Sequence, residues 1–426
     1  MSDTGFHDGP PALSASPNEI EFPCSNCGRI LKVPAVLAGR KARCPQCAFV
    51  QTIPDRSSPQ PTATEDAADL APATVVGPEP GQPPENRPTA VPATARVISE
   101  ARQLPSAGSN TETGRLFQRI FDEISKVYIG QHELVLGSLV ALFSSGHILI
   151  ESVPGLGKTL FVRVLGRVLG CEFGRIQFTA DLMPSDITGA PIFDLKNQEF
   201  RFRAGPVFTQ LLLADEINRS PAKTHAALLE IMQEYRVTVD GKSHELKRPF
   251  LVMATQNPIE SEGTYNLPEA QLDRFMFKLV ADYPQAEEEA RILEMHSRQI
   301  DLNQRLMSQV SPVTTPEQIM RITRASSDVR VDGRLIDYIN QLVRLTRRWP
   351  QFHMGASPRA GIALMQAART LAAFAGRDYA VPDDVVQLAL AALRHRVILT
   401  AEAEVEGRSV DELLKELIRS VEVPRL

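Results

Sequence analysis

The sequence predicts an α/β protein: a parallel sheet flanked by helices, followed by an all-α domain and preceded by a small metal-held module. Three observations carry this. Between about 111 and 285, short apolar runs alternate with helical patterns, and such alternation builds a parallel sheet covered on both faces. Over 310–421 strand-like runs are few and helix-start signals are frequent. Of 32 prolines in the 426 residues, 17 fall in the first 110, so the chain is not one uniform domain; at roughly 150 residues per domain it divides into two or three.

In order along the chain, residues 1–19 are polar and expected to be disordered. Residues 20–54 hold Cys24-Ser-Asn-Cys27 and Cys44-Pro-Gln-Cys47, two pairs separated by 16 residues. That spacing is the pattern of a tetrahedral zinc site. Four thiolates close the coordination shell, so the Zn²⁺ expected here is structural. The segment resembles a zinc ribbon, and so short a piece buries too little core to fold without its metal. Arg29, Lys32, Arg40, Lys41 and Arg43 lie between the first and last cysteines with no acid. They form either a patch for nucleic acid or an acidic partner, or a counterweight to the thiolate charge; scarce aromatics favour the second. Residues 55–110 carry ten prolines and no Phe, Tyr or Trp. They cannot bury enough apolar area to offset ordering entropy and read as a flexible linker.

A net charge of −5 and no basic stripe argue against a chain dominated by nucleic-acid binding. Met1–Pro17 has no apolar core of a signal peptide. No run reaches the ~18 apolar residues of a membrane helix; Leu134–Ile150 reads as a helix, a turn and a buried strand. A soluble, reducing, cytoplasmic setting is expected, in which paired cysteines hold metal rather than form disulfides.

Within 111–285, expected strands are His147–Val153, Arg175–Thr179, Gln210–Asp215, Phe250–Gln256 and Phe275–Ala281, with helices over Phe161–Leu169 and Ala222–Tyr235. Ser152-Val153-Pro154-Gly155-Leu156-Gly157-Lys158-Thr159 joins the first strand to the first of these helices. Strand, glycine-rich loop and helix is the context of a phosphate loop, whose backbone N–H groups cradle phosphate oxygens. Lys158 would reach the β- and γ-phosphates of ATP, and the Thr159 hydroxyl would bind Mg²⁺. Ser152 stands where the strict pattern has glycine. The apolar run Leu211-Leu-Leu-Ala ends in Asp215-Glu216. Asp215 would hold Mg²⁺ and Glu216 would polarise the attacking water. The strand from Phe250 ends at Asn257, which could orient that water or simply start a turn before Pro258.

These motifs, with Leu267-Pro-Glu-Ala-Gln-Leu-Asp-Arg-Phe275, resemble those of the AAA+ ATPases. Phe178-Thr-Ala-Asp-Leu-Met-Pro-Ser-Asp-Ile-Thr-Gly189, Gly205-Pro-Val-Phe208, Ala214-Asp-Glu-Ile-Asn-Arg219 and Gly355-Ala-Ser-Pro-Arg359 look most like the MoxR family within them. The resemblance covers about 112–400. It implies an AAA+ P-loop domain over 111–285 and a helical lid domain over 286–426. It implies that Arg274 is an arginine finger reaching a neighbouring subunit's γ-phosphate, and that Arg359 is the second sensor. It implies further a homo-oligomer, a hexameric ring, that remodels or activates protein clients, some carrying von Willebrand factor A domains. Two competing classes are a nucleic-acid motor gripping through the zinc module and a non-hydrolysing ATP-dependent scaffold. Mild acidity weighs against the first, and the presence of Glu216, Asn257 and Arg274 against the second.

Strand-like runs within Asp186–Phe208, and alternation around Asp240-Gly241 in Val237–Leu246, predict two hairpins. In the helical part, Thr315-Pro-Glu-Gln318 reads as a capping box, Ser357-Pro358 as a helix start and Ser409-x-x-Glu412 as the last cap. The eight histidines show no ligand spacing, and Cys171 reads as a small buried residue.

Overall fold

The computed structural model describes residues 19–23, 30–34, 41–43, 50–53, 111–257, 265, 267–297, 306 and 308–425. The chain divides into two units, Met1–Glu85 and Asn86–Leu426. In the first, β1 (Glu19–Pro23) pairs antiparallel with β2 (Ile30–Pro34), and β3 (Lys41–Arg43) with β4 (Val50–Thr52). Glu19, placed in the disordered segment by its polar surroundings, begins β1 because it pairs with Pro34. The four expected zinc ligands lie outside the described residues, as do 1–18 and the linker 55–110.

The second unit opens with α1 (Glu112–Ser125), whose Thr111 cap accepts from the Gly114 N–H. Then α2 (His132–Phe143) turns at Ser144–Gly146 into β5 (Ile148–Ser152), the helix, turn and strand expected of this run. Next come α3 (Lys158–Leu169), β6 (Phe173–Gln177), α4 (Pro184–Thr188), β7 (Gly189–Asp194), β8 (Glu199–Ala204) and β9 (Leu211–Asp215). They are followed by α5 (Ala222–Glu234), β10 (Arg236–Val239), β11 (Lys242–Glu245), β12 (Leu251–Gln256), α6 (Glu269–Leu272), β13 (Phe277–Ala281) and α7 (Ala286–Ser297). The expected hairpins form as β7–β8 and β10–β11. The second turns on Asp240 and Gly241, both at positive φ (48° and 73°), as a two-residue hairpin loop requires.

The main sheet is parallel with strand order β13-β5-β12-β9-β6. Its interior strands read as continuous apolar runs, yet their side chains alternate. Ile148, Ile150, Leu211, Leu213, Leu251 and Met253 enter one core cluster, while Leu149, Leu212, Ala214, Val252 and Ala254 enter a second. The two clusters cover opposite faces, which is what period-2 side chains require of a strand buried on both sides. Truncating one of these leucines to alanine costs about 2–5 kcal/mol. β6 starts two residues before its expected position. It also ends earlier, because Thr179 turns away by donating to Asp181 Oδ1 (2.6 Å).

The helical part contains α8 (Pro316–Ser327), α9 (Gly333–Thr346), α10 (Pro358–Phe374), α11 (Pro382–Gln387), α12 (Ala389–Leu393), α13 (Ala401–Val405) and α14 (Val410–Ser420). It shares one continuous apolar cluster with the first face of the sheet. Ser409 and Glu412 close a complete capping box. At Thr315 only half of one forms: its hydroxyl accepts from the Gln318 N–H, but the Gln318 side chain pairs with the Thr314 hydroxyl instead. Among the described residues no helix is long and apolar enough to cross a membrane.

His147 locks the N-terminal end of β5. Its Nδ1 accepts from the Val252 N–H (3.1 Å), so Nε2 carries the proton and donates to the Met232 carbonyl (2.9 Å). Burial pushes its pKa down to about 4 and holds His395 well below the usual range. Between pH 6.5 and 4 the unfolded chain therefore binds protons that the folded chain refuses. Stability should fall as pH falls through that window, with a slope approaching about 1.4 kcal/mol per pH unit for each such histidine. Urea midpoints measured across pH 4–7 should show this, and His147→Gln should flatten the dependence.

Candidate functional site

The phosphate-loop residues sit at the C-terminal end of β5. Ser152 is the strand's last residue and is buried. Gly155 and Gly157 take positive φ, 89° and 72°. A Cβ at Gly155 would meet nothing within 4 Å, so backbone conformation rather than crowding asks for glycine there. α3 starts at Lys158 with Gly157 at its cap and no side-chain cap bond. The first N–H groups of α3 thus face the loop, and the loop with this helix end fits an anionic ligand. Lys158 Nζ donates to Ser152 Oγ (2.8 Å) and to the Val153 carbonyl (3.4 Å). Burial lowers the Lys158 pKa, while Asp215 and Glu216 oppose that shift.

β9 delivers Asp215 and Glu216 to the same edge, and Thr255 of β12 joins them. Its hydroxyl donates to Asp215 Oδ1 (2.6 Å) and accepts from the Glu216 N–H (2.9 Å). β6 adds two partners from one face. Arg175 pairs with Asp215 (2.8 Å), and Gln177 Nε2 donates to Glu216 Oε2 (2.7 Å). Arg219 also pairs with Glu216 (3.0 Å). Glu216 adopts the left-handed region, φ 55° and ψ 49°, a strained setting for a non-glycine residue of order 1 kcal/mol. Thr159 follows Lys158 in α3, and Asn257 lies half-buried one residue beyond β12. Hydroxyl and carboxylate oxygens at Thr159 and Asp215 are a donor set suited to magnesium.

Arg175, Gln177 and Thr255 did not stand out in the sequence reading, and Arg219 entered it only as the end of the Ala214–Arg219 motif, with no role of its own. Two signals point to them. Arg175 and Gln177 share one face of β6, and Thr255 is the lone hydroxyl in an apolar strand.

Arg274 and Arg359 are placed elsewhere. They share a cleft of about 300 Å³ with Asp273, Arg396, Met232 and Ser145–His147. Residues 145–147 precede β5, whereas the phosphate loop follows it. The two sites therefore lie at opposite ends of a five-residue strand, roughly 16 Å apart. Arg274 Nη1 donates to the Leu229 carbonyl (3.0 Å), and its buried Nε has no protein partner. Arg359, exposed at the start of α10, lies 3.8 Å from Asp273.

A glycine loop on a helix start, two acids at the end of β9 on the far side of β12, and a helical lid define a P-loop ATPase of the AAA class. Residues 147–277 match the ATPase family associated with various cellular activities (AAA), and 344–417 match the AAA lid domain. The chain is 45% identical over 309 residues to the uncharacterized protein YeaC of Bacillus subtilis, covering 72% of this chain and 95% of that one. It is 41% identical over 340 residues to chaperone MoxR1 of Mycobacterium tuberculosis, covering 77% and 88%. The crystal structure of a Cytophaga hutchinsonii protein superposes with a TM-score of 0.68 at 39% identity, covering 74% of this chain and 96% of that one. The chain belongs to the MoxR family of AAA+ ATPases.

With Lys158 in the phosphate-binding role expected of it, Ser152 competes with nucleotide for the Lys158 ammonium. Losing one such hydrogen bond frees about 1 kcal/mol. Ser152→Ala should therefore tighten binding of a fluorescent ATP analogue by up to about fivefold in a direct titration.

Proposed function

We propose that this protein hydrolyses MgATP to remodel or activate protein clients, working as a homo-oligomeric ring, most simply a hexamer. One observation carries the reading. Lys158, Asp215 and Glu216 gather at one edge of the sheet, while Arg274 and Arg359 gather at the other. A chain with its phosphate loop and its arginines so far apart completes a site only with a second copy.

The α3 N-terminus, the 155–157 backbone and Lys158 bind the phosphates. Thr159 and Asp215 would hold Mg²⁺, which would supply charge neutralisation to the phosphates when bound. Glu216 polarises the attacking water, with Asn257 orienting it. Before doing so, Glu216 must leave Gln177 and Arg219, and Arg175 must release Asp215. The neighbouring copy's Arg274 and Arg359 then face the γ-phosphate, where a finger contributes ~10³-fold or more in rate. Similarity to a protein named as a chaperone supports protein clients, with von Willebrand factor A domain proteins as the partners to test first. The −5 net charge weighs against a nucleic-acid motor.

The N-terminal unit fits a structural zinc. Pro23 pairs with Ile30 and Arg43 with Val50, so each cysteine pair falls in a connection of six residues closed by a strand pair. The donor set Cys24, Cys27, Cys44 and Cys47 then suits one tetrahedral ion.

Steady-state turnover should collapse in Lys158→Ala and in Glu216→Gln; unchanged turnover would sink the enzyme reading. Glu216→Gln should hold clients in an ATP-dependent pull-down that Lys158→Ala cannot reproduce. Elemental analysis should find one zinc per chain, lost in Cys24→Ser; a metal-free wild-type protein would refute the zinc assignment.

A further inference from the structure

The triplet Arg394-His395-Arg396 at the end of α12 makes contacts that neither the phosphate loop nor Arg274 and Arg359 account for. Arg394 pairs with Asp411 (2.9 Å) and Glu133 (3.4 Å) and donates to the Lys278 carbonyl (3.1 Å). His395 Nε2 lies 3.0 Å from the Phe275 carbonyl. Arg396 reaches further. Its side chain is only 3% exposed, yet every guanidinium donor is used. Nε donates to Asp273 Oδ1 (2.8 Å); Nη2 donates to the carbonyls of Asp273 (3.1 Å) and Phe275 (2.7 Å). Nη1 donates to the Met276 carbonyl (3.1 Å) and to the Ala392 carbonyl.

Four of those five bonds land on residues that flank Arg274 on both sides. The same Asp273 carboxylate accepts from the Ser357 hydroxyl at the cap of α10 (2.9 and 2.8 Å). A buried guanidinium with five satisfied donors is a rigid fork, unlike the rotating ammonium of lysine. Three carbonyls of this turn converge on the one guanidinium.

We infer that Arg396 is a positioning residue: from the helical lid it clamps the Asp273–Met276 turn and so sets the angle at which Arg274 is presented to the neighbouring subunit. This rests on the ATPase reading above. The clamp makes the finger a joint product of sheet and lid. Asp273 is the meeting point, tied to Arg396 at the end of α12 and to Ser357 at the start of α10. A lid displaced from the sheet would release the turn, and with it the finger, while leaving the phosphate loop of the same chain untouched.

The test is Arg396→Lys in the full-length protein, which keeps the charge and loses the fork. Turnover number should fall about tenfold or more with KM for ATP little changed, as expected when a group acting only in the transition state is misplaced. Because the affected finger serves the next subunit, mixing Arg396→Lys with Lys158→Ala should recover activity above either alone. Mixing Arg396→Lys with Arg274→Ala should not. Hydrogen exchange of peptides over 273–277 should rise in Arg396→Lys, with β5 and α3 unchanged; this readout judges the clamp even if the wild-type protein turned over no ATP. Turnover within twofold of wild type, absence of complementation by Lys158→Ala, or unaltered exchange over 273–277 would each overturn the assignment. Should Arg396→Lys fold poorly, Asp273→Asn, which weakens the clamp from the acceptor side, is read by the same three measurements.

Discussion

Everything functional in this chain hangs on β5 being an interior strand of a parallel sheet. Its apolar residues are shut from solvent on both faces, and β13 and β12 bond its two edges. A strand so held cannot shift register without moving its whole side-chain set to the wrong face. Its two ends are therefore fixed points. Parallel topology then dictates what gathers at each. The C-terminal end of β5 lies beside that of β12, which in turn flanks that of β9, so the glycine loop, Asp215-Glu216 and Thr255 gather along one side of the sheet. The N-terminal end receives the segment entering β13, and with it Arg274.

The phosphate-binding edge is crowded with charge, and each charge has a partner. Lys158 rests on Ser152, Asp215 on Arg175 and Thr255, Glu216 on Gln177 and Arg219. Partly buried ions left unpaired are costly, and pairing removes most of that cost. The consequence for function is that ligand binding is an exchange of partners. On the function proposed above, nucleotide affinity is the difference between phosphate contacts and these resting contacts, so residues that never touch nucleotide still tune it.

The helical lid is not a separate body resting on the sheet. Its core merges with one sheet face, and its Arg394–Arg396 triplet supplies donors to the carbonyls of β13 and the turn before it. β13 is the edge strand of the sheet, and an edge strand with open backbone groups needs cover. Lid helix α12 provides it, so edge protection and the geometry of the proposed finger Arg274 fall to the same few residues. The two hairpins form another linked pair: Phe202 of β8 stacks on His244 of β11 at 4.0 Å.

Much of this was legible in the sequence because it depends on short-range rules. Short continuous apolar runs between helical patterns located all five strands of the sheet, Asp240-Gly241 located a hairpin, and Ser409 and Glu412 located a helix start. Glycines that tolerate positive φ marked the phosphate loop. Local signals failed where a tertiary contact outbid them. Gln318 left its expected cap for Thr314, and Glu19 joined a strand because Pro34 lay opposite. The resting partners of the acids come from three separate strands and turns, so no spacing rule connects Arg175 or Thr255 to Asp215. The separation of Arg274 and Arg359 from their own phosphate loop is likewise a property of strand direction. Sequence by itself determined the chemistry available: an anion cradle, a lysine, two acids and several arginines. Tertiary structure decided which end of β5 each would occupy, because hydrogen-bonded register and two-sided burial, not chain proximity, place groups more than a hundred residues apart.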